Sequence, residues 1–262
     1  MTDPAVEEMA EALARGRRTG ERFVTMPAPW AGDLGFAYAV QARLVDRLRA
    51  VGAGDIAGWK LGFTTAKIQT LAGVPEPASG VLLAKGLWES GQALATANFM
   101  HLGLEGEIAV RVGEGFPETD PVDPAVAFGR LESAAAAFEV TDDRHADWSV
   151  MEGASLIADN IWNIGAVLGP PTPIGSLRTL VGRKGVVSVN GQMRDAGLSE
   201  DTGYDPAAIV AWLGAHLARR GQPLAPGQWI MTGSFVPTTF PRAGDHYQFE
   251  VDGLEPVEAR VV

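Results

Sequence analysis

The sequence contains no cysteine, and this absence removes several kinds of chemistry at once. Disulfide bonds, thiolate nucleophiles and zinc sites with cysteine ligands are all excluded. A chain of this composition suits a reducing compartment, so we expect a cytoplasmic protein. Histidine is scarce as well: His101, His145, His216 and His246 are the only four, and their spacing is not that of metal ligands.

Long apolar runs and an excess of basic residues are also missing. No run of about 18 apolar residues occurs, so no membrane-spanning segment is predicted. The first residues, MTDPAVEEMAEAL, are acidic and amphipathic, unlike a signal peptide. The chain has 21 Lys and Arg against 32 Asp and Glu, a formal net charge of −11. Because such a chain repels a phosphate backbone, we expect neither nucleic acid nor a membrane as a partner.

The pattern of apolar residues along the sequence changes near residue 85. Before that point, the pairing Asp3-Pro4 predicts the start of one helix, and a spaced apolar stripe predicts a second helix over residues 37–48. After it come short apolar runs separated by turn signals, of which Asn190-Gly191 is a strong hairpin signal. Further helices are predicted to start at Asp123-Pro124, running through AVAFGRLESAAAA, and at Asp205-Pro206.

These elements predict an α+β fold with a mixed, largely antiparallel sheet, because strands outnumber helices and do not alternate with them. We expect residues 1–85 to form a helical part packed on a catalytic core of residues 86–262, within what is one structural domain overall.

Two glutamates stand out in the strand-like run LEGEIAV, residues 104–110. Residues i and i+2 of a strand face the same side, so Glu105 and Glu107 point together. Two carboxylates converging among apolar neighbours are unfavourable unless something positive lies between them. A solvated face, or an arginine partner, is the structural alternative.

A third carboxylate, Glu139, lies in a second strand-like run between Phe138 and Val140. Taken alone it could be an exposed strand residue. Together with Glu105 and Glu107 it makes a set of oxygen ligands, which suits a hard cation such as Mg²⁺ or Mn²⁺.

Other candidates are weaker on sequence alone. Lys60, in GWKLG, could extend its ammonium group to the surface, or it could act as an acid, a base or a carboxylate ligand beside a metal-bound substrate. The stretch TGSF, residues 232–235, could bind a substrate carboxylate through backbone N–H groups and Ser234, or could be a plain turn. Asp159 and Asn160 could cap a local turn or reach the site.

Five segments, in this order, carry a resemblance to a known family: GWKLGFTTAKIQTLAGVPEPASGVLL, LEGEIAVRV, FEVTDDRHADW, ADNIWNIGAVLG and WIMTGSFVPTTFPRAGD. The chain from about residue 35 onward resembles the 2-keto-4-pentenoate hydratases and 4-oxalocrotonate decarboxylases of the fumarylacetoacetate hydrolase superfamily. The resemblance implies a mixed β-roll with peripheral helices, assembled as a homo-oligomer.

The resemblance also implies roles for individual residues. Metal ligation by Glu105, Glu107 and Glu139, with Mg²⁺ or Mn²⁺, is implied, and Lys60 is implied to lie beside the substrate. Binding of a small 2-oxo acid is expected to involve Thr64, Asp159, Gly233 and Ser234. One departure is Ala78, where the hydratases carry an acid; Glu76, two positions away, is the candidate replacement as a catalytic group.

The implied activity is that of a divalent-metal-dependent lyase, a hydratase of a 2-hydroxydienoic or 2-oxo-alkenoic acid in the breakdown of aromatic or cyclic compounds. Decarboxylation of a 2-oxo acid and hydrolysis of a carbon–carbon bond are alternatives on the same scaffold. The family hydrolases use a His–Glu pair from an N-terminal loop, and the absence of histidine before His101 counts against that branch. A non-catalytic partner subunit is the alternative from another class, because of Ala78.

Overall fold

The computed structural model describes residues 3–116 and 123–262. Within these ranges the α-helices are α1 (Pro4–Thr19), α2 (Leu34–Leu48), α3 (Ala66–Ala72), α4 (Pro124–Gly129), α5 (Gly153–Ala158) and α6 (Pro206–Ala218). No helix among the described residues is long and apolar enough to cross a bilayer.

The strands form two sheets. They are β1 (Ile56–Gly62), β2 (Ala78–Leu83), β3 (Leu87–Glu89), β4 (Gln92–Leu94), β5 (Leu102–Val112), β6 (Leu131–Asp142), β7 (Asn163–Leu168), β8 (Thr172–Pro173), β9 (Lys184–Val189), β10 (Gln192–Leu198), β11 (Trp229–Ser234), β12 (His246–Val251) and β13 (Val257–Val261). The larger sheet has the order β2-β1-β11-β5-β6-β7-β3, with β8 beside β6, and the smaller has the order β10-β9-β12-β13-β4.

Most neighbouring strands run antiparallel, and the pairs β1–β11, β3–β7 and β4–β13 are parallel. The predicted α+β class with a mixed, largely antiparallel sheet is therefore confirmed. The division at about residue 85 stays a prediction; β1 and β2 precede it and belong to the larger sheet.

Local sequence signals account for the helix starts. Asp3 and Asp205 are extended, and the carboxylate of each accepts a hydrogen bond from the backbone N–H two residues on, with proline at the first helical position. Such a cap satisfies one of the otherwise unpaired donors of the first turn. The predicted hairpin is also present, since Asn190 and Gly191 have φ values of 52° and 78° between β9 and β10.

One predicted helix is wrong in its second half. α4 ends at Gly129, and the segment LESAAAA belongs to strand β6, which starts at Leu131. Ala134 to Ala137 are completely buried; all four are paired with β5, and on the other side Ala134 is paired with β8 and Ala137 with β7. The strong helix propensity of alanine is overridden there, because a central strand between two neighbours requires small side chains on its packed faces.

Three apolar clusters of the described residues support the larger sheet, and two of them are large. One contains α6 and the strands of both sheets, with Ile108, Phe138 and Phe249 fully buried. The other joins α1, α2 and α5 to Phe63 and Ile161, next to the end of β1. The second cluster therefore packs the N-terminal helices against the part of the sheet that carries Lys60.

Candidate metal centre

The candidate metal centre lies in the middle of the larger sheet. Glu105 on β5 is directly paired with Glu139 on β6, and Glu107 follows two residues along the same face of β5. One carboxylate oxygen from each of the three residues lies within 4.8 Å of the other two. The strand spacing that predicted convergence from sequence therefore does bring the three acids together.

Burial makes this cluster unfavourable without a cation. Glu107 and Glu139 are fully buried. Oε1 of Glu107 and Oε2 of Glu139 have no hydrogen-bond partner among the described residues. An unpaired buried carboxylate oxygen is strongly destabilising, and a hard divalent cation takes such oxygens as ligands. The residues present therefore fit a Mg²⁺ or Mn²⁺ ion, and no arginine of the described ranges forms an ion pair with them.

Each carboxylate is oriented by a separate hydrogen-bond donor. Asn163 Nδ2 donates to Glu139 Oε1 at 2.9 Å, the Gly233 backbone N–H donates to Glu107 Oε2 at 2.8 Å, and Thr238 Oγ1 donates to Glu105 Oε1 at 2.7 Å. These donors leave one oxygen of Glu107 and one of Glu139 unbonded. Such outer contacts fix ligand orientation and are part of a metal site.

Lys60, on β1, completes the charged cluster. Its Nζ lies 3.2 Å from Glu139 Oε1, and only 4% of the residue is exposed. The alternative in which its ammonium group reaches the surface is thus wrong for this conformation. The glycine at position 80 leaves room for the lysine stem, since a Cβ there would lie 2.9 Å from Lys60 Cγ.

The cluster perturbs the acidity of its members. Burial raises the pKa of Glu107 well above its usual range, and the nearby carboxylates of Glu139 and Glu105 raise it further. Burial also raises the pKa of Glu139 to about 7, against the opposing effect of Lys60. Burial alone would lower the pKa of Lys60, but attraction to the three carboxylates outweighs it and the pKa is raised. Positive charge is therefore favoured in this centre.

The residues predicted to bind substrate lie at different distances from the carboxylates. Gly233 contacts Glu107 through its N–H, and its φ of 105° suits glycine. A Cβ on Gly233 would lie 3.0 Å from Thr64 Cγ2, so Thr64 adjoins the same place. The hydroxyl oxygen of Ser234 lies 3.0 Å from the carbonyl of Gly106 and 2.6 Å from that of Val236, so its single proton is shared between these acceptors at the turn after β11.

Glu76 and Ala78 occupy distinct environments. Glu76 is exposed, and its Oε2 accepts a hydrogen bond from Trp212 Nε1 at 3.4 Å. Ala78 is buried on β2, opposite Gly62 of β1. Because residues two apart share a face, Ala78 lies on the side of the sheet that carries Lys60. The structure therefore places a methyl group, and no acid, at position 78.

Asp159 lies in a buried ion-pair network beside the centre. Its Oδ1 accepts from Arg17 Nε and its Oδ2 from an Arg144 Nη, both at 2.8 Å. Arg17 also donates to the carbonyl of Asn163 at 3.1 Å, next to the amide that holds Glu139. Helix α1 is thus tied to the centre through Asn163. Both oxygens of Asp159 are used in this role, and its predicted substrate contact stays a prediction.

Asn160 stabilises the segment that leads to Asn163. Its side chain accepts from the Val81 N–H at 2.7 Å and donates to the Val81 carbonyl at 2.9 Å, in place of a neighbouring strand. Asn160, Ile161 and Trp162 all have positive φ, an uncommon conformation for three successive residues without glycine. The Asn160 side chain supplies the hydrogen-bond partners that the Val81 backbone on β2 would otherwise lack.

Sequence reasoning missed Asn163 and Thr238 as orienting residues. Both lie in segments of the family resemblance, ADNIWNIGAVLG and WIMTGSFVPTTFPRAGD. Neither has a local signal for its contact, because the contacts depend on the register of β7 with β6 and on the path of the loop after β11.

The comparisons with known proteins agree with this geometry. The family model of the fumarylacetoacetate (FAA) hydrolase C-terminal region matches residues 71–262. The chain belongs to the fumarylacetoacetate hydrolase family. The family resemblance predicted from the five sequence segments is therefore confirmed.

Two curated relatives match almost the whole chain. A 2-keto-4-pentenoate hydratase of Burkholderia vietnamiensis is 29% identical over 265 residues, which cover 98% of this chain and 97% of the relative. A TodF product hydratase of Pseudomonas putida is 30% identical over 263 residues, covering 97% of this chain and 94% of the relative.

A solved structure supports the family fold over the full length. 4-Oxalocrotonate decarboxylase from Pseudomonas putida G7, complexed with magnesium and adipate, superposes with a TM-score of 0.92 at 23% identity. The match covers 100% of this chain and 99% of that chain. The predicted family fold is thus confirmed.

Proposed function

We propose that this protein is a divalent-cation-dependent lyase that adds water to a small 2-hydroxydienoic acid, the tautomer of a 2-oxo-alkenoic acid. The observation that carries the proposal is the meeting of Glu105, Glu107 and Glu139, two of which keep a buried oxygen without a partner. Similarity to hydratases over nearly the whole chain supports the same reaction.

Mg²⁺ or Mn²⁺, held by the three glutamates, would supply a Lewis acid for the carboxylate and keto oxygens of the substrate. The glutamates' own task is to hold that charge in a fixed place. Asn163, the Gly233 N–H and Thr238 keep them oriented. Such preorganised charges stabilise the enolate that forms as protons move between the substrate carbons.

Lys60 is the proposed proton carrier. Its ammonium group is buried beside Glu139, within the cluster that would face the substrate. From there it can donate a hydrogen bond to the substrate's oxygen and pass a proton to or from a carbon. Because the three carboxylates raise its pKa, the lysine without substrate is held in the charged, donating form.

Thr64, Gly233 and Ser234 are proposed to bind the substrate carboxylate. Thr64 lies against Gly233, and Gly233 lies against Glu107, so the three positions form one side of the centre. Ser234 contributes through the turn that its hydroxyl holds. We propose a smaller part for Glu76, which is exposed and bonded to Trp212, and an indirect one for Asp159 through Asn163.

Decarboxylation of a 2-oxo acid is the second candidate, and Ala78 favours it. Hydration in this family uses an acid at that position, and here a buried methyl group occupies it. Loss of CO₂ gives the same stabilised enolate and needs one proton for the product carbon, which Lys60 could supply.

The test is incubation of the protein with 2-hydroxypenta-2,4-dienoate and Mg²⁺, following the loss of the dienol's ultraviolet absorbance and identifying the product. We expect a hydrated 2-oxo acid. Release of CO₂ from a 2-oxo dicarboxylic acid, with no hydrated product from the dienoate, would replace the hydratase by the decarboxylase. Mg²⁺-dependent binding of oxalate with no turnover of either compound would favour a non-catalytic partner subunit or a different substrate.

We further propose a homo-oligomer that works in the cytoplasm. The cysteine-free composition supports this compartment, and the family resemblance supports assembly. Light scattering of the purified protein tests the proposed homo-oligomer directly: a single monomeric species would contradict it.

A further inference from the structure

A group of aromatic and histidine side chains adjoins the metal centre. We call it the His101 cluster; its members are His101, Asp143, His145, Trp148 and Phe240. His101 Nδ1 lies 2.8 Å from Asp143 Oδ1, and Trp148 Nε1 donates to Asp143 Oδ2 at 2.8 Å. The His145 backbone N–H also donates to Asp143 Oδ1. The buried carboxylate is fully used in orienting these groups.

The His101 ring is held in one orientation. Its centroid lies 4.1 Å from that of Phe240, with the planes 6° apart, and 4.8 Å from that of His145. Since an ionised carboxylate only accepts, Asp143 fixes the proton on Nδ1. Among residues 3–116 and 123–262, Nε2 of His101 has no hydrogen-bond partner, and 34% of the side chain is exposed to solvent. A fixed ring with a free polar atom can recognise a ligand.

Thr238 contacts Glu105, Phe240 contacts His101, and both side chains lie close to Gly103 of β5. Thr238 donates to Glu105, and its Cγ2 would lie 3.3 Å from a Cβ on Gly103, two residues before Glu105. Phe240 Cε1 would lie 3.7 Å from the same position, and Phe240 stacks on His101. The cluster thus begins about 7 Å along β5 from Glu105, one pleat of the strand.

This path borders open space. Thr238 and Phe240 also line a cleft of about 880 Å³ between the β9–β10 hairpin and the loop before β12. Phe240 and Trp148 each leave over two-fifths of their surface exposed. A substrate whose first two carbons are held at the carboxylates would direct its remaining carbons along Thr238 and Phe240 towards the His101 cluster.

The side chains of the His101 cluster favour a substrate whose end remote from the metal is flat and carries a negative charge. Exposed aromatic faces suit a planar conjugated chain. Arg22 donates to the carbonyl of His145, which places a guanidinium beside the cluster, while the charge of Asp143 is covered by its three donors. A carboxylate at Nε2 accepts a hydrogen bond only from a ring that carries a proton on both nitrogens, and the anionic partners on the two sides then make both hydrogen bonds charge-assisted.

We propose that His101, oriented by Asp143, selects among substrates by the end remote from the metal, and that it prefers a flat tail ending in a carboxylate. This inference rests on the proposed function, since it places the first two carbons of a 2-oxo acid at the three glutamates.

The test compares two ligands that differ only at that end, 2-oxoadipate and 2-oxohexanoate, by titration calorimetry in Mg²⁺. His101→Phe keeps a ring to stack on Phe240 and removes Nε2. His246→Ala is the matched control, because His246 is also part-exposed and paired with an acid, Glu258, but lies in the smaller sheet. Circular dichroism checks that each variant is folded.

We expect the wild type to bind 2-oxoadipate about tenfold more tightly than 2-oxohexanoate. The preference should disappear in His101→Phe, with binding of 2-oxohexanoate unchanged, and should persist in His246→Ala. His101→Gln, which keeps a polar end, should restore part of the preference if His101→Phe fails to fold.

Two kinds of result would overturn the inference, and only the second would also overturn the proposed function. If the wild type binds both ligands equally, or if His101→Phe weakens both equally, His101 does not read the tail and the proposed function stands. If the wild type binds neither ligand in Mg²⁺, nor oxalate, the proposed function falls as well.

Discussion

The ammonium nitrogen of Lys60 lies 3.2 Å from Oε1 of Glu139, in the interior of a sheet and beside two further carboxylates. Five strands that are neighbours in the sheet, β1, β11, β5, β6 and β7, each contribute a residue to this centre. A buried charge cluster of this kind has consequences for activity and for stability that can be measured separately.

Replacing the lysine should separate proton transfer from metal binding. In Lys60→Ala we expect kcat to fall by about 100-fold or more, the range of a lost general acid or base. Affinity for Mg²⁺ should be at least as high as in the wild type, because one positive charge has left a cluster of carboxylates. Steady-state kinetics and metal titration measure the two effects. Lys67→Ala, at an exposed position, is the control; an unchanged kcat in Lys60→Ala would return the lysine to a structural role.

Neutralising one carboxylate should abolish the response to metal without unfolding the protein. In Glu107→Gln, the buried acid with a raised pKa is replaced by a neutral group of the same shape. We expect Mg²⁺ to raise the melting temperature of the wild type but not of the variant, and activity to be lost. Glu114→Gln, at an exposed site outside the centre, should behave like the wild type. Retained metal-dependent activity in Glu107→Gln would contradict the assignment.

The metal-free protein should lose stability as pH rises through neutrality. Burial raises the pKa of Glu139 from 4.5 to about 7. The folded state then binds more protons than the unfolded state between these values, so the free energy of unfolding falls as pH rises across this interval. The loss at pH 8 is on the order of 3 kcal/mol for this group.

Thermal unfolding in EDTA between about pH 5 and about pH 8 measures this effect as the difference between wild type and Glu139→Gln. Saturating Mg²⁺ should reduce the pH dependence, because the cation favours the ionised carboxylates. A wild-type curve parallel to that of Glu139→Gln would show that Glu139 does not titrate in this interval.

The network around Asp159 should contribute strongly to stability. Arg17→Ala removes one of the two arginines, part-buried Arg17 and buried Arg144, that share this buried carboxylate. Breaking one partner of such a buried network costs about 3–5 kcal/mol. Urea denaturation measures the loss, with Arg18→Ala as an exposed control on the same helix. Equal stability of the two variants would mean that Arg144 alone is sufficient for Asp159.

Part of the site was predictable from sequence, because the convergence of Glu105 and Glu107 follows from the local geometry of one strand. Glu105 and Glu107 are two residues apart on a strand, and the alternation of a strand alone makes them point together. The register that places Glu139 opposite Glu105 was not predicted, since no local rule fixes the pairing of distant strands.

The fold was predictable where end signals are strong. The Asp-Pro starts of α1 and α6 and the Asn190-Gly191 hairpin were correct for this reason. The run of alanines in β6 misled the prediction, because propensity favours a helix while the packing of a central strand decides the outcome. Asn163, Thr238 and the pair His101–Asp143 were missed, as each depends on contacts between segments that no local pattern reports.

The pairing of Asn160 with Val81 makes one backbone amide a reporter of the centre. The Val81 amide proton is protected from solvent by a side chain of the segment that leads to Asn163, so its exchange with deuterium requires that segment to move away. The exchange rate of this single amide would therefore measure how often the centre opens, with no substrate or metal added to the protein.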